Sequence, residues 1–116
     1  MVNMEDCIFC RIVAKRLPAK FEFENDQLVA IQDINAQAPT HLLVIPKKHI
    51  SRLDEVQESD HGLLGDLVLC AKNLACQRQL QEGFRLVLNN GPQAGQSVFH
   101  IHVHVLGGRA MRWPPG

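Results

Sequence analysis

The sequence predicts an α+β domain, a five-stranded antiparallel sheet with one long and one short helix. Two observations carry the prediction. Short strand-like runs come first, then one long helical stripe, then strands again, without the regular strand–helix alternation of parallel sheets. The chain has 116 residues, 46% of them hydrophobic and 21% charged, which suits one folded domain over residues 1–116 rather than a disordered segment.

Cys7 to Lys15 reads as the short helix, stopped ahead of Pro18. Phe21 to Glu24 alternates apolar and polar residues. Leu28 to Gln32 and Leu42 to Pro46 are short apolar runs, set apart by stretches containing Pro, Asn and Asp. Leu63, Leu64, Leu67, Val68, Ala71, Leu74 and Ala75 recur at spacings of three and four, so this is the long helix, with Ser59 or Asp60 as its cap. Cys70 beside that stripe reads as a small buried hydrophobe. Leu69 and Cys76 fall outside it and hint at a partner surface. Strands Phe84 to Leu88 and Val98 to Leu106 complete the sheet.

Lys and Arg number 12 and so do Asp and Glu, so no net field draws a polyanion, and nucleic acid is not expected as a partner. No apolar run approaches the roughly 18 residues that cross a bilayer, so no membrane association is expected. The opening Met1-Val2-Asn3-Met4-Glu5-Asp6 lacks the basic-then-apolar order of a secretory signal. Four cysteines are too few for a disulfide scaffold. These readings give a cytoplasmic location as the expectation.

The chemistry concentrates in Phe99-His100-Ile101-His102-Val103-His104-Val105. A strand sends alternate side chains to opposite faces, so the three imidazoles share one face and the apolar residues the other. The preceding loop, Asn89 to Ser97, holds two glycines and a hydroxyl, and its backbone N–H groups could cradle a phosphate. That layout suits phosphoryl or nucleotidyl transfer. A zinc site on His100, His102 and His104 is the rival reading, because imidazoles two apart on a strand can hold zinc. Cys7-Ile8-Phe9-Cys10 has a spacing that brings two thiolates to one metal, and it equally fits a redox motif or two unrelated cysteines. Lys47 and Lys48 face anions or are simply solvated, and His61 is expected to be exposed. Arg109 and Arg112 could pair with a phosphate or a partner's acid.

The run His100 to Leu106 resembles the signature of the histidine-triad (HIT) superfamily. The likeness extends to Asp33 to His41, Val44 to Ile50, Gly95 to Val98, Leu106 to Arg109 and the tail Trp113-Pro114-Pro115-Gly116. Together these resemble the Hint branch, the purine nucleoside phosphoramidases, across nearly the whole chain. The resemblance implies an enzyme that hydrolyses the P–N bond of purine nucleoside 5′-phosphoramidates through a nucleotidyl-histidine, with no catalytic cofactor. The alternative it leaves is a nucleotide-binding regulatory or partner-binding protein whose hydrolysis is incidental. It further implies a homodimer, two sheets joined into a continuous ten-stranded sheet with the long helix and the Phe84 strand at the interface. The Trp113 tail would lie near the partner's site.

By resemblance, His102 is the nucleophile, His104 contacts the transferring phosphate and His41 completes the histidine cluster. Asn89 and Ser97 surround the phosphate and leaving group, and Gly95, Gln96 and Val98 supply the phosphate-loop backbone. Asp33 binds ribose hydroxyls. Ile8, Phe9, Ile12 and Ile34 form a slot for the purine; each is equally an ordinary core residue on sequence grounds. Some bacterial members hold a structural zinc on a cysteine pair and two histidines, which here implies Cys7, Cys10, His49 and His100. The bland alternative is a buried Cys10 and a solvated His49.

Overall fold

In the computed structural model, which describes residues 6–116, each apolar run becomes a strand wherever a neighbour completes its hydrogen bonds. The acidic opening, residues 1–5, lies outside the described residues. Helix α1 is Ile8–Val13; strands β1 (Phe21–Glu24), β2 (Leu28–Gln32) and β3 (Thr40–Pro46) follow. Two 3-10 turns, Leu53–Glu55 and Glu58–Asp60, lead into helix α2 (His61–Gln77). Strand β4 (Phe84–Val87), a 3-10 turn at Pro92–Ala94 and strand β5 (Val103–Gly107) complete the chain.

The strands form one sheet in the order β1-β2-β3-β5-β4, with every neighbouring pair antiparallel. This is the expected α+β architecture. Period-two alternation divides the sheet into two faces. One carries Leu28, Ala30, Leu42, Val44, Ile101, Val103 and Val105, and α2 covers it with Leu67, Ala71, Leu74 and Ala75. The other carries Val29, Ile31, Leu43 and Ile45, and α1 packs there through Phe9 and Ile12. Cys70 is buried in the α2 core; Leu69 and Cys76, outside the stripe, are exposed, and so is Val68, which the spacing places within it.

Two expectations need correction. The last strand begins at Val103, not Val98. Its ladder with β3 ends at the pair Val44↔Val103, and two residues farther along β3 stands Pro46. Pro46 has no N–H, and its carbonyl is taken by the His100 ring at 2.7 Å, so the ladder cannot continue. Asp60 precedes α2 but makes no capping bond to it. Its carboxylate accepts Gln57 N–H at 3.1 Å and Lys48 Nζ at 2.6 Å, so it closes the preceding 3-10 turn instead.

Candidate active site and metal cluster

His102 and His104 project from the same sheet face as Leu43, which stands directly across from His104 on β3. Their rings lie 5.0 Å apart, centroid to centroid, so the alternation read from sequence holds even upstream of the ladder. Both line a cavity of about 660 Å³ between α1, the Asp33 loop and the sheet. That volume accommodates a nucleotide-sized ligand. Ile8, Phe9, Ile12, Asp33, Ile34, His41, Ser97 and Val98 line it as well. Phe9 and Ile12 are buried, whereas Ile34 stands fully in solvent at the rim.

The proton on each ring is placed by what its nitrogens meet. His102 Nδ1 lies 2.7 Å from the His100 carbonyl oxygen. A carbonyl only accepts, so Nδ1 carries the proton and Nε2 keeps its lone pair. His41 Nδ1 accepts Gln37 N–H at 3.0 Å, so its proton sits on Nε2, which donates to His104 Nδ1 at 2.8 Å. Asp33 Oδ2 is 3.3 Å from the same Nε2, and Asp33 Oδ1 accepts Asn35 N–H at 2.8 Å. The accepting Nδ1 of His104 leaves Nε2–H as that ring's free donor. Burial pushes the His104 pKa down to about 4, with His102 and His41 adding repulsion, so the ring is neutral near pH 7. Burial also lowers His41, against the pull of Asp33. Asp33, His41 and His104 converge closely enough for a metal ion. A ligating Nε2 would leave His41 with no ring proton at all, so the donor pattern makes His41 and His104 a hydrogen-bonded pair with the Asp33 carboxylate beside it.

His100 turns to a different set of partners. Its Nε2 donates to Pro46 O, and its Nδ1 lies 3.4 Å from Cys7 Sγ, 3.5 Å from Cys10 Sγ and 3.1 Å from His49 Nδ1. Cys10 Sγ to His49 Nδ1 is 3.2 Å, and Cys10 N–H points at Cys7 Sγ across 3.4 Å. Tetrahedral zinc with S at about 2.3 Å and N at about 2.0 Å sets its ligands roughly 3.3–3.8 Å apart. Two sulfurs and two ring nitrogens gathered within 4.8 Å of one another, their closest pairs at 3.1–3.5 Å and so slightly tighter than that range, with the outer His100 nitrogen fixed by a carbonyl and that of His49 beside Ser51 Oγ at 3.2 Å, form a donor set that suits zinc. Both His100 nitrogens are thereby engaged, which overturns the rival triad of His100, His102 and His104 on one metal.

The loop before His100 differs from expectation. Gly95 N–H goes to Pro92 O at 3.0 Å and Gln96 N–H to Gly91 O at 3.1 Å, closing the turn that Gly95 ends at φ +99°. Those two amides are therefore not offered to a phosphate, and the Ser97–Val98 stretch is the part of the loop that reaches the cavity. The buried Gln96 side chain works inward, accepting Gly91 N–H and donating to Ser51 O and Val98 O. Asn89 lies off the cavity wall; a side chain at Gly95 would meet its amide at 3.7 Å. Lys47 pairs with Glu24 at 2.9 Å and Lys48 with Asp60, so neither reaches the site. His61 and Trp113 are exposed.

Ile31 and Leu43 also form the cavity wall, a role not expected from the sequence although their alternation with Val29 and Ile45 places them on that face. The backbone partners Gln37 N–H, His100 O and Pro46 O are not legible in the sequence either, because no residue type signals them.

Comparison with known proteins places this geometry. The family model described as the HIT domain matches residues 14–111. A HIT-like protein of Synechocystis is 48% identical over 112 residues, covering 97% of this chain and 98% of its own. A HIT family hydrolase from Legionella pneumophila superposes with a TM-score of 0.94 at 48% identity, over 96% of this chain and 100% of that one. A zinc-bound histidine triad family protein from Mycobacterium smegmatis superposes with a TM-score of 0.80 at 31% identity, over 92% and 78%.

Proposed function

The chain belongs to the HIT domain family and is built like its hydrolases, and from that premise we propose that it cleaves the P–N bond of purine nucleoside 5′-phosphoramidates through a covalent bond to His102. One observation carries the reading. The hydrogen bond from His102 Nδ1 to His100 O leaves Nε2 with a lone pair in the wall of a nucleotide-sized cavity.

In this reading the base lies against Ile8, Phe9 and Ile12, and Asp33, each of whose oxygens keeps a further lone pair, accepts the ribose hydroxyls. Phosphate oxygens meet His104 Nε2–H and the Ser97–Val98 segment, donors that become more effective as charge grows in the transition state. His102 Nε2 attacks phosphorus and the P–N bond breaks. The departing nitrogen needs a proton, for which the Ser97 hydroxyl and His104 Nε2–H line the cavity. Water then attacks the nucleotidyl-His102, releasing the nucleoside monophosphate and restoring the ring. Cys7, Cys10, His49 and His100 would hold a structural zinc, which supplies a clamp between α1 and the His100 segment.

The test is turnover of an adenosine 5′-phosphoramidate by the wild type, His102→Ala and His102→Gly. Loss of at least about a thousandfold in kcat is expected, because removing a nucleophile removes the covalent route itself. Turnover undiminished in both variants would overturn the reading.

A further inference from the structure

We propose that Arg109 is a positioning residue for His41, acting through Gln37 to fix which ring nitrogen carries the proton. The kinetic consequences rest on the phosphoramidase reading; the structural claim does not.

The contacts run in one direction. Strand β5 ends at Gly107, and Gly108 turns the chain at φ +92°. A Cβ at Gly108 would come within 2.8 Å of Pro39 Cβ, so the turn lies hard against the 37–39 segment. Arg109 follows. Its Nε and Nη2 both donate to Gln37 O, at 3.1 and 3.0 Å, and its Nη1 donates to Ala110 O at 3.0 Å. The N–H of the same Gln37 donates to His41 Nδ1 at 3.0 Å. Gln37 Nε2 also ties Asn35 O at 2.9 Å, and Asn35 N–H holds Asp33 Oδ1.

The His41 ring is buried, but the amide that sets its tautomer sits on an exposed loop. Outside the strand ladder such a loop keeps one geometry only if something ties it down. Here a charged fork grips the carbonyl of the residue whose N–H matters, and charge-assisted bonds of this kind are the stronger sort. With Gln37 N–H in place, Nδ1 stays bare and Nε2–H serves His104. Without it, Nδ1 can take a proton, with Asp33 attracting and His104 repelling the new charge, and His104 loses its fixed donor.

The experiment measures imidazole ¹⁵N shifts of His41 together with kinetics on adenosine 5′-phosphoramidate, in wild type, Arg109→Ala and Arg109→Lys. The wild type should show a bare Nδ1 and a protonated Nε2. Arg109→Ala should show mixed tautomers and protonation at higher pH. Its kcat should fall about tenfold, as modest misplacement in a site produces, with KM changed less than about twofold. The acid limb of its kcat profile should move to higher pH. Arg109→Lys, with one ammonium nitrogen in place of a planar fork, should recover part of each change. If Arg109→Ala keeps the wild-type ring pattern and pH profile, the proposal is overturned even if its Tm drops, and Arg109 merely fastens the tail. A wild type that does not turn over the substrate would count against the phosphoramidase reading, and the ¹⁵N pattern would still decide the role of Arg109.

Discussion

His100, His102 and His104 come from one segment yet divide between two kinds of chemistry, and the division is set by what each ring's nitrogens meet. His100 points one nitrogen at a carbonyl and the other at two sulfurs, while His102 donates to the His100 backbone and keeps Nε2 bare. The period-two spacing made the shared face legible in the sequence. The division was not, because Pro46 O and His100 O are backbone atoms that any residue would supply. At this scale the buried rings also govern acid stability. His104 has a folded pKa of about 4 against 6.5 when free, so the unfolded chain takes up this proton first as pH falls. Stability from keeping the ring neutral is present above pH 6.5 and is lost as pH falls toward 4. Carboxylates add to the loss only lower, since Asp60 is held below its free 3.8 by the Lys48 bond. Thermal melts at pH 7.5, 6 and 5 should show a falling Tm, and His104→Asn should flatten the fall. A Tm independent of pH across that window would contradict the burial argument.

The elements were legible where hydrophobic periodicity was long, and misread where a side chain or a proline broke the ladder. Strands β2 and β3 and most of α2 follow their apolar patterns, whereas β1 breaks register between Phe21 and Phe23 and leaves Phe23 exposed, and β5 starts late because of Pro46 and His100. Helix α1 has only six residues, too short to hold itself without tertiary support. Cys7 and Cys10 tie it to His49 and His100, and Ile8, Phe9 and Ile12 are the wall it lends to the cavity. Phe9 meets the His102 ring edge-on at 5.0 Å. Removing the clamp should therefore weaken substrate binding as well as stability. Cys7→Ser or Cys10→Ser, or exhaustive chelation, should take zinc from about one per chain to near none. Tm should fall by several degrees, and KM should rise more than kcat falls. Metal analysis, thermal melts and kinetics on the same samples check this; full wild-type Tm without metal would show that packing alone holds α1.

For the whole molecule, a sheet edge and a groove stay uncovered among the described residues. Strand β4 is an edge strand of four residues, with Phe84 partly exposed, and beside it lies a groove of about 1080 Å³ reaching Leu80, Arg85 and Met111. A chain of 116 residues gains from covering such an edge, because small domains bury a modest share of their surface. A homodimer through β4 and α2 is expected. Sedimentation at micromolar concentration should give twice the chain mass, and Phe84→Lys should shift it toward the monomer; a wild-type monomer would contradict that assembly. The bond from phosphorus to one ring nitrogen is checked by rapid acid-free quenching during turnover of adenosine 5′-phosphoramidate, followed by mass mapping. One nucleotidyl group should be found on His102, and none on His102→Ala. Brisk turnover with the adduct on another residue, or with none formed, would contradict it.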